Sequence, residues 1–132
     1  MRLSTNGIEL NVALSGDESK NCVTFVGGIT NDHTLWDDQV EDLSPACRLI
    51  RMDSRGHGLS QSTPAPYSLE TMVADVIGVW DALGVERSVI VGLGLGGVVA
   101  AETALTHPKR VSGVVPTSCR ARMVPEYGAM WP

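Results

Sequence analysis

Apolar residues along the chain follow two periods, and the switches between them mark out the elements. Arg2–Thr5 and residues 8–14 read as short strands joined by Asn6-Gly7, a strong two-residue hairpin signal. After a polar loop over 16–21, Cys22–Val26 is a buried strand that ends in Gly27-Gly28. Helical spacing then appears at Leu35, Trp36, Gln39, Val40 and Leu43, with Pro45 beyond its end, and Arg48–Met52 is the next strand. The clearest helix spans 69–83: apolar positions 69, 72, 73, 76, 77, 80 and 83 share one face, Ser68 is placed to cap it and Gly84 to stop it. Val89, Ile90 and Val91 form a strand that runs into a glycine-dense turn. An apolar helix rich in Gly and Ala follows, closed by His107-Pro108. Residues 111–115 give one more strand, and 116–132 show no period. Two N-terminal strands followed by β-α-β-α-β-α-β predict an α/β fold, a mostly parallel sheet with helices on both faces.

The turn in Val-Ile-Val-Gly-Leu-Gly-Leu-Gly-Gly-Val-Val, residues 89–99, is the densest chemical signal. A strand passing this tightly into a helix brings two backbones together, and glycine sits where a Cβ would collide. Gly92, Gly94 and Gly97 match the dinucleotide loop G-x-G-x-x-G, which seats a pyrophosphate on a helix N-terminus. Gly92, Gly94 and Gly96 match the nucleophile elbow G-x-S-x-G, with glycine at the serine. Context disfavours the dinucleotide: the region where its acidic residue belongs reads Val115-Pro116-Thr117-Ser118, and about four strand candidates precede the turn.

Composition narrows the field further. The chain's 132 residues suffice for one domain, and 43% hydrophobic with 19% charged residues is ordinary for a soluble globular protein. A net charge of −5 argues against nucleic acid and anionic membranes as partners, and no apolar run is long enough for a membrane helix. The N-terminus lacks a signal-peptide core, so a cytoplasmic location is expected. Cys22, Cys47 and Cys119 are expected as reduced thiols, two on strands and one just past a strand, with no metal or cofactor site.

Several of these features coincide. The loop after Arg48–Met52 reads D-x-R-G-H-G-x-S (Asp53, Arg55, Gly56, His57, Gly58, Ser60). Gly27-Gly28 follows the preceding strand, Leu35-Trp36-Asp37-Asp38-Gln39-Val40 comes soon after, and Pro66-Tyr67-Ser68-Leu69 opens the long helix. Together with the elbow context, the chain resembles the N-terminal half of an α/β-hydrolase, and is most similar to 3-oxoadipate enol-lactonase-like hydrolases. The resemblance implies a partial hydrolase core over 1–120 and the start of a cap or linker over 121–132, with the cap and C-terminal strands missing. It places Gly94 at the nucleophile position and the amides of Leu95 and Ile29 at the oxyanion hole, where a donor contributes roughly 2.7–4 kcal/mol. The implied chemistry is hydrolysis of an enol-lactone or small ester.

Two departures qualify that implication. Glycine has no hydroxyl, so Gly94 cannot form an acyl-enzyme and the chain is expected to be inactive by the serine route. The family's order is Ser…Asp/Glu…His, and none of His33, His57 and His107 is placed as the triad base. A second chain supplying the cap, acid and histidine, and covering an otherwise bare strand edge, is therefore expected, with a gene fragment as the competing explanation. The alternative is a non-catalytic ligand-binding or scaffold subunit of hydrolase descent; a dinucleotide-binding subunit is a third class.

The remaining candidates have plainer readings. Asp53, Arg55 and His57 could form a catalytic dyad, but a hydrogen-bonded loop shaping the sheet edge is the favoured reading. Arg120 and Arg122 follow the last strand on the ligand-binding side of such sheets and could meet a substrate carboxylate, although solvated arginines are commoner. Met130 and Trp131 could line a cap or belong to a core, while Trp36 and Trp80 are core by spacing.

Overall fold

The computed structural model describes residues 1–120. Strands β1 (Arg2–Thr5) and β2 (Ile8–Ser15) form an antiparallel hairpin with Thr5 opposite Ile8. Asn6 and Gly7 turn the chain with φ of 48° and 75°, the left-handed pair that a two-residue hairpin turn requires. Next come β3 (Cys22–Val26), a 3-10 turn (His33–Trp36), α1 (Asp37–Leu43), β4 (Arg48–Met52), α2 (Leu69–Ala82), β5 (Ser88–Leu93), α3 (Leu95–Thr106) and β6 (Val111–Thr117). Among the described residues the strands make one sheet in the order β1-β2-β4-β3-β5-β6. β2 lies antiparallel to β4, while β4, β3, β5 and β6 run parallel.

Strand alternation sends side chains to two different cores. Phe25 and Leu49 pack with Trp36 on one face, joined by Val40 and Leu43 of α1. Val26, Ile50, Met52 and Ile90 face the other way, against Met72, Val73, Val76, Val79 and Trp80 of α2 and Val99 and Ala100 of α3. The result is the three-layer arrangement that alternating strands and helices predict. Trp80 is fully buried, and its Nε1 donates to Thr24 Oγ1 at 2.8 Å. That hydroxyl also lies 2.9 Å from Ser88 Oγ, so polar atoms inside the α2 core are partnered.

Local differences from the sequence reading have local causes. The helix expected from Leu35 onward begins as the 3-10 turn, because Asp32 caps it by accepting from the Thr34 amide at 2.9 Å. Only after Trp36, with φ −104° and ψ 10°, does the α-helix start. Cys47 immediately precedes β4 and does not lie on a strand, while Cys22 is on β3 and Cys119 is two residues past β6. β5 and β6 are each longer than expected, reaching Leu93 and Thr117. Ser68 caps α2 by accepting from the Thr71 amide at 3.1 Å, and Gly84 follows with φ 65°.

β6 has no strand on its outer side among the described residues, and it leaves Val114 and Val115 exposed. Leu105, on the neighbouring flank of α3, is 77% exposed. No helix among the described residues is long and apolar enough to cross a membrane. Residues 121–132, where a cap or linker is expected to begin, lie outside the described residues, and so do Arg122, Met130 and Trp131.

Candidate active site

Strand order fixes where a ligand can sit. From β3 the chain moves to β4 on one side, then crosses back over β3 through α2 to reach β5 on the other. The loops leaving β3 and β5 therefore diverge, and the crevice between them is where open α/β sheets bind ligands. Gly28 leaves β3 on one wall of that crevice, and Gly94 sits between β5 and α3 on the other.

The elbow glycines are not equivalent. A Cβ on Gly92 would strike the Gly96 carbonyl and stand 2.5 Å from the Gly97 amide nitrogen. One on Gly96 would strike the Val26 carbonyl and lie 2.6 Å from that of Gly27. Both obstacles are backbone and cannot step aside, so close passage of β3, β5 and α3 dictates glycine at these two positions. At Gly97 the obstacle is Cys119, with Sγ 2.8 Å from the same imagined atom. Gly94 differs: its nearest neighbour would be Gly28 Cα at 3.8 Å, an ordinary contact. Its backbone is nevertheless bent to φ 57° and ψ −117°, a conformation that strains any other residue. Position 94 thus has room for a side chain aimed into the crevice, on a corner that strains one.

Two amides border this position. Leu95 is the first residue of α3, whose early N–H groups have no partner within the helix. Ile29, 46% exposed, follows Gly28 on the opposite wall. Among the described residues neither amide finds an acceptor, whereas the Gly94 amide is tied to the Thr117 carbonyl at 2.9 Å. Free donors beside a developing helix dipole suit a negatively charged oxygen.

The loop after β4 is built differently. Asp53 is completely buried and accepts from Asn11 Nδ2 at 2.9 Å, the Leu59 amide at 2.9 Å, and the His33 amide and Nδ1 at 2.6 and 2.8 Å. Burial alone would push this carboxyl up; the hydrogen bonds from Leu59, Asn11 and His33 outweigh it and hold the pKa below the usual 3.8. An ionised carboxylate only accepts, so His33 Nδ1 carries the proton in this pair. Arg55 makes a bidentate, buried ion pair with Asp75 of α2, Nε to Oδ2 and Nη2 to Oδ1 both at 2.6 Å. That contact raises the Arg55 pKa further, and the Tyr67 ring lies 5.7 Å from the guanidinium carbon. His57 only approaches the Arg55 carbonyl, at 3.0 Å. Asp53, Arg55 and His57 are therefore parts of a braced loop, and the Asp–His pair that does form uses His33.

Arg120 is exposed and lines an open groove with Leu69, Val98, Leu105 and Cys119 on the outer flank of α3, apart from Gly94 and Ile29. Asn11 and His33 as partners of Asp53 escaped the sequence reading. The available signal was Asn11, a polar residue between Leu10 and Val12 in β2, and a histidine in the loop after β3. Among the described residues no cluster of three or more His, Cys, Asp and Glu side chains is placed to hold a metal ion.

This arrangement of switch-point crevice, strand–elbow–helix and braced loop after β4 defines a class of fold, and comparison with known proteins places the chain within it. The family described as "alpha/beta hydrolase fold" matches residues 21–131, and the chain belongs to that family. It is 27% identical over 128 residues to 3-oxoadipate enol-lactonase 1 of Acinetobacter baylyi, covering 97% of this chain and 48% of that protein. Epoxide hydrolase A of Mycobacterium tuberculosis is 32% identical over 130 residues, covering 93% of this chain and 40% of that protein. Among solved structures, a hydrolase from Pseudomonas aeruginosa PA01 superposes with a TM-score of 0.92 at 34% identity, over 97% of this chain and 49% of that one. The enol-lactonase from Burkholderia xenovorans LB400 does so with a TM-score of 0.91 at 31% identity, over 96% and 50%. The chain thus spans about half the length of these relatives or less, and it corresponds to the N-terminal part of the fold.

Proposed function

We propose that this chain is the nucleophile-elbow half of a serine-hydrolase-type site for an enol-lactone or small ester, with glycine in place of the nucleophile. The observation that carries the reading is the contrast at the elbow: Gly92 and Gly96 are required by backbone contact, whereas Gly94 faces the crevice with space for a side chain. Ile29 and Leu95 would donate to the carbonyl oxygen as it acquires charge. Without a hydroxyl at position 94 no acyl-enzyme can form, and the serine route is closed. A complementing polypeptide carrying the cap, the acid and the histidine would pack on the bare edge of β6 and the exposed Val114, Val115 and Leu105. The enol-lactonase relatives favour a lactone or ester as the ligand class.

The missing hydroxyl favours a second reading, in which the site binds such a ligand without turning it over. Gly94→Ser, expressed together with a polypeptide supplying the acid and histidine, separates the two. A fluorophosphonate reagent reacts only with an activated serine, so labelling at position 94 together with ester hydrolysis supports the catalytic ancestry. A folded, assembled variant that neither labels nor hydrolyses supports the binding subunit. Intact-mass measurement of the purified protein tests for the complementing chain itself.

A further inference from the structure

Of the three imidazoles, only His33 is held by a carboxylate among the described residues. His57 and His107 lie against a backbone carbonyl and a hydroxyl instead. The Asp53 side chain is completely buried, and its Oδ1 accepts from both the His33 amide, at 2.6 Å, and His33 Nδ1, at 2.8 Å. Two bonds to one atom fix the direction of the ring as well as its tautomer. Nε2 is left with its lone pair and no partner among the described residues, on a side chain that stays 23% exposed.

Strand register brings this pair to the elbow. Val26, the last residue of β3, pairs with both Met52 and Gly92. Asp53 and Leu93 therefore stand level on either side of β3, two strand spacings or about 10 Å apart. His33 reaches Asp53 from the segment that follows β3, the same segment that carries the Ile29 amide. A buried carboxylate, a ring locked in one tautomer and the amides of Ile29 and Leu95 thus share one rim of the sheet. An imidazole and a small ester together span the gap between Asp53 and Leu93.

We propose that His33, oriented by Asp53, is a general base with which this chain hydrolyses aryl or enol esters without a serine. The inference rests on the reading of Ile29 and Leu95 as the amides that hold the carbonyl oxygen. Water attacks the carbonyl carbon while Nε2 takes its proton, and the oxyanion so formed sits on those amides. The carbonyl then re-forms, the bond from the acyl carbon to the leaving oxygen breaks, and that oxygen takes the proton from the imidazolium. The products are a carboxylic acid and a phenol or enol. Asp53 stays ionised throughout and stabilises the imidazolium. Aryl and enol oxygens leave more readily than alkoxides, which a route with no covalent intermediate requires.

The test is hydrolysis of p-nitrophenyl acetate by the purified chain, set against free imidazole at equal concentration. The chain should be the faster, should turn over repeatedly and should slow in D2O. His33→Asn keeps a donor where Nδ1 was and removes Nε2, so it should lower the rate roughly a hundredfold or to the level of buffer. An unchanged urea midpoint shows that this variant is folded, and His107→Gln should keep the rate. Asp53 and Asp32 are the charges the structure sets against His33. In the unaltered protein the rate should rise with pH along the same curve as the His33 ring signals, a comparison that needs no variant. A rate no better than imidazole, a single turnover, a rate that His33→Asn leaves intact, loss with His57→Gln instead, or a pH curve that departs from the His33 signals would each overturn the proposal. Labelling of Gly94→Ser is independent of it: either result can fail while the other stands.

Discussion

Two neighbouring turns at the carboxyl edge of the sheet hold their shape by opposite means. The turn after β4 is fastened by side chains: Asp53 gathers Asn11, His33 and Leu59, and Arg55 locks onto Asp75. The turn after β5 alternates glycine with Leu93 and Leu95, which pack into the two cores, and its shape comes from backbone pressed on backbone at Gly92 and Gly96. A braced turn fails by losing partners, whereas a bare turn fails by gaining atoms. At position 94 itself the bare design leaves room, with only the Gly28 Cα at 3.8 Å from a Cβ built there.

That contrast sets a ranked series of substitutions, read as urea midpoints. Gly96→Ala should be the most damaging, above about 4 kcal/mol or a failure to fold, because neither the Val26 nor the Gly27 carbonyl can retreat. Arg55→Met should cost about 3–5 kcal/mol by stranding the buried Asp75 carboxylate. Adding Asp75→Leu should restore much of that loss; a double variant no better than the single would show that packing, not charge, braces the loop.

Asp53→Asn should cost about 1.5–3 kcal/mol near neutral pH, since an amide cannot accept from every donor the carboxylate serves. Its pH signature is specific. The folded pKa lies below the ordinary 3.8, so the stabilisation is present above that value and lost as pH falls through the lower folded pKa. The variant should therefore lose part of the acid-dependent slope below about pH 4, and an unchanged slope would contradict the role given to Asp53. Smallest of the four, Gly94→Ala should cost about 1–2 kcal/mol through backbone strain alone. A loss as large as that of Gly96→Ala would remove the distinction between the two glycines.

Much of the scaffold was legible because its signals are local. Asn6-Gly7 turns as a hairpin, Ser68 caps α2, and Gly84 takes the left-handed conformation after it. The start of α1 was misread because Leu35 and Trp36 keep helical spacing while Asp32 winds the first turn more tightly. Glycine spacing revealed the elbow but ranked its members equally; only the passage of β3 beneath α3 separates Gly94 from Gly96. The partners of Asp53 join β2, the loop after β3 and β4, contacts between distant parts of the sequence that no periodicity encodes.

The bend at Gly94 also bears on which residues the corner can accept. Glycine rests in this corner without strain, whereas serine there would be held against its own conformational preference. Any other residue at this corner must draw that energy from the rest of the molecule, so a firmer scaffold widens the choice at position 94.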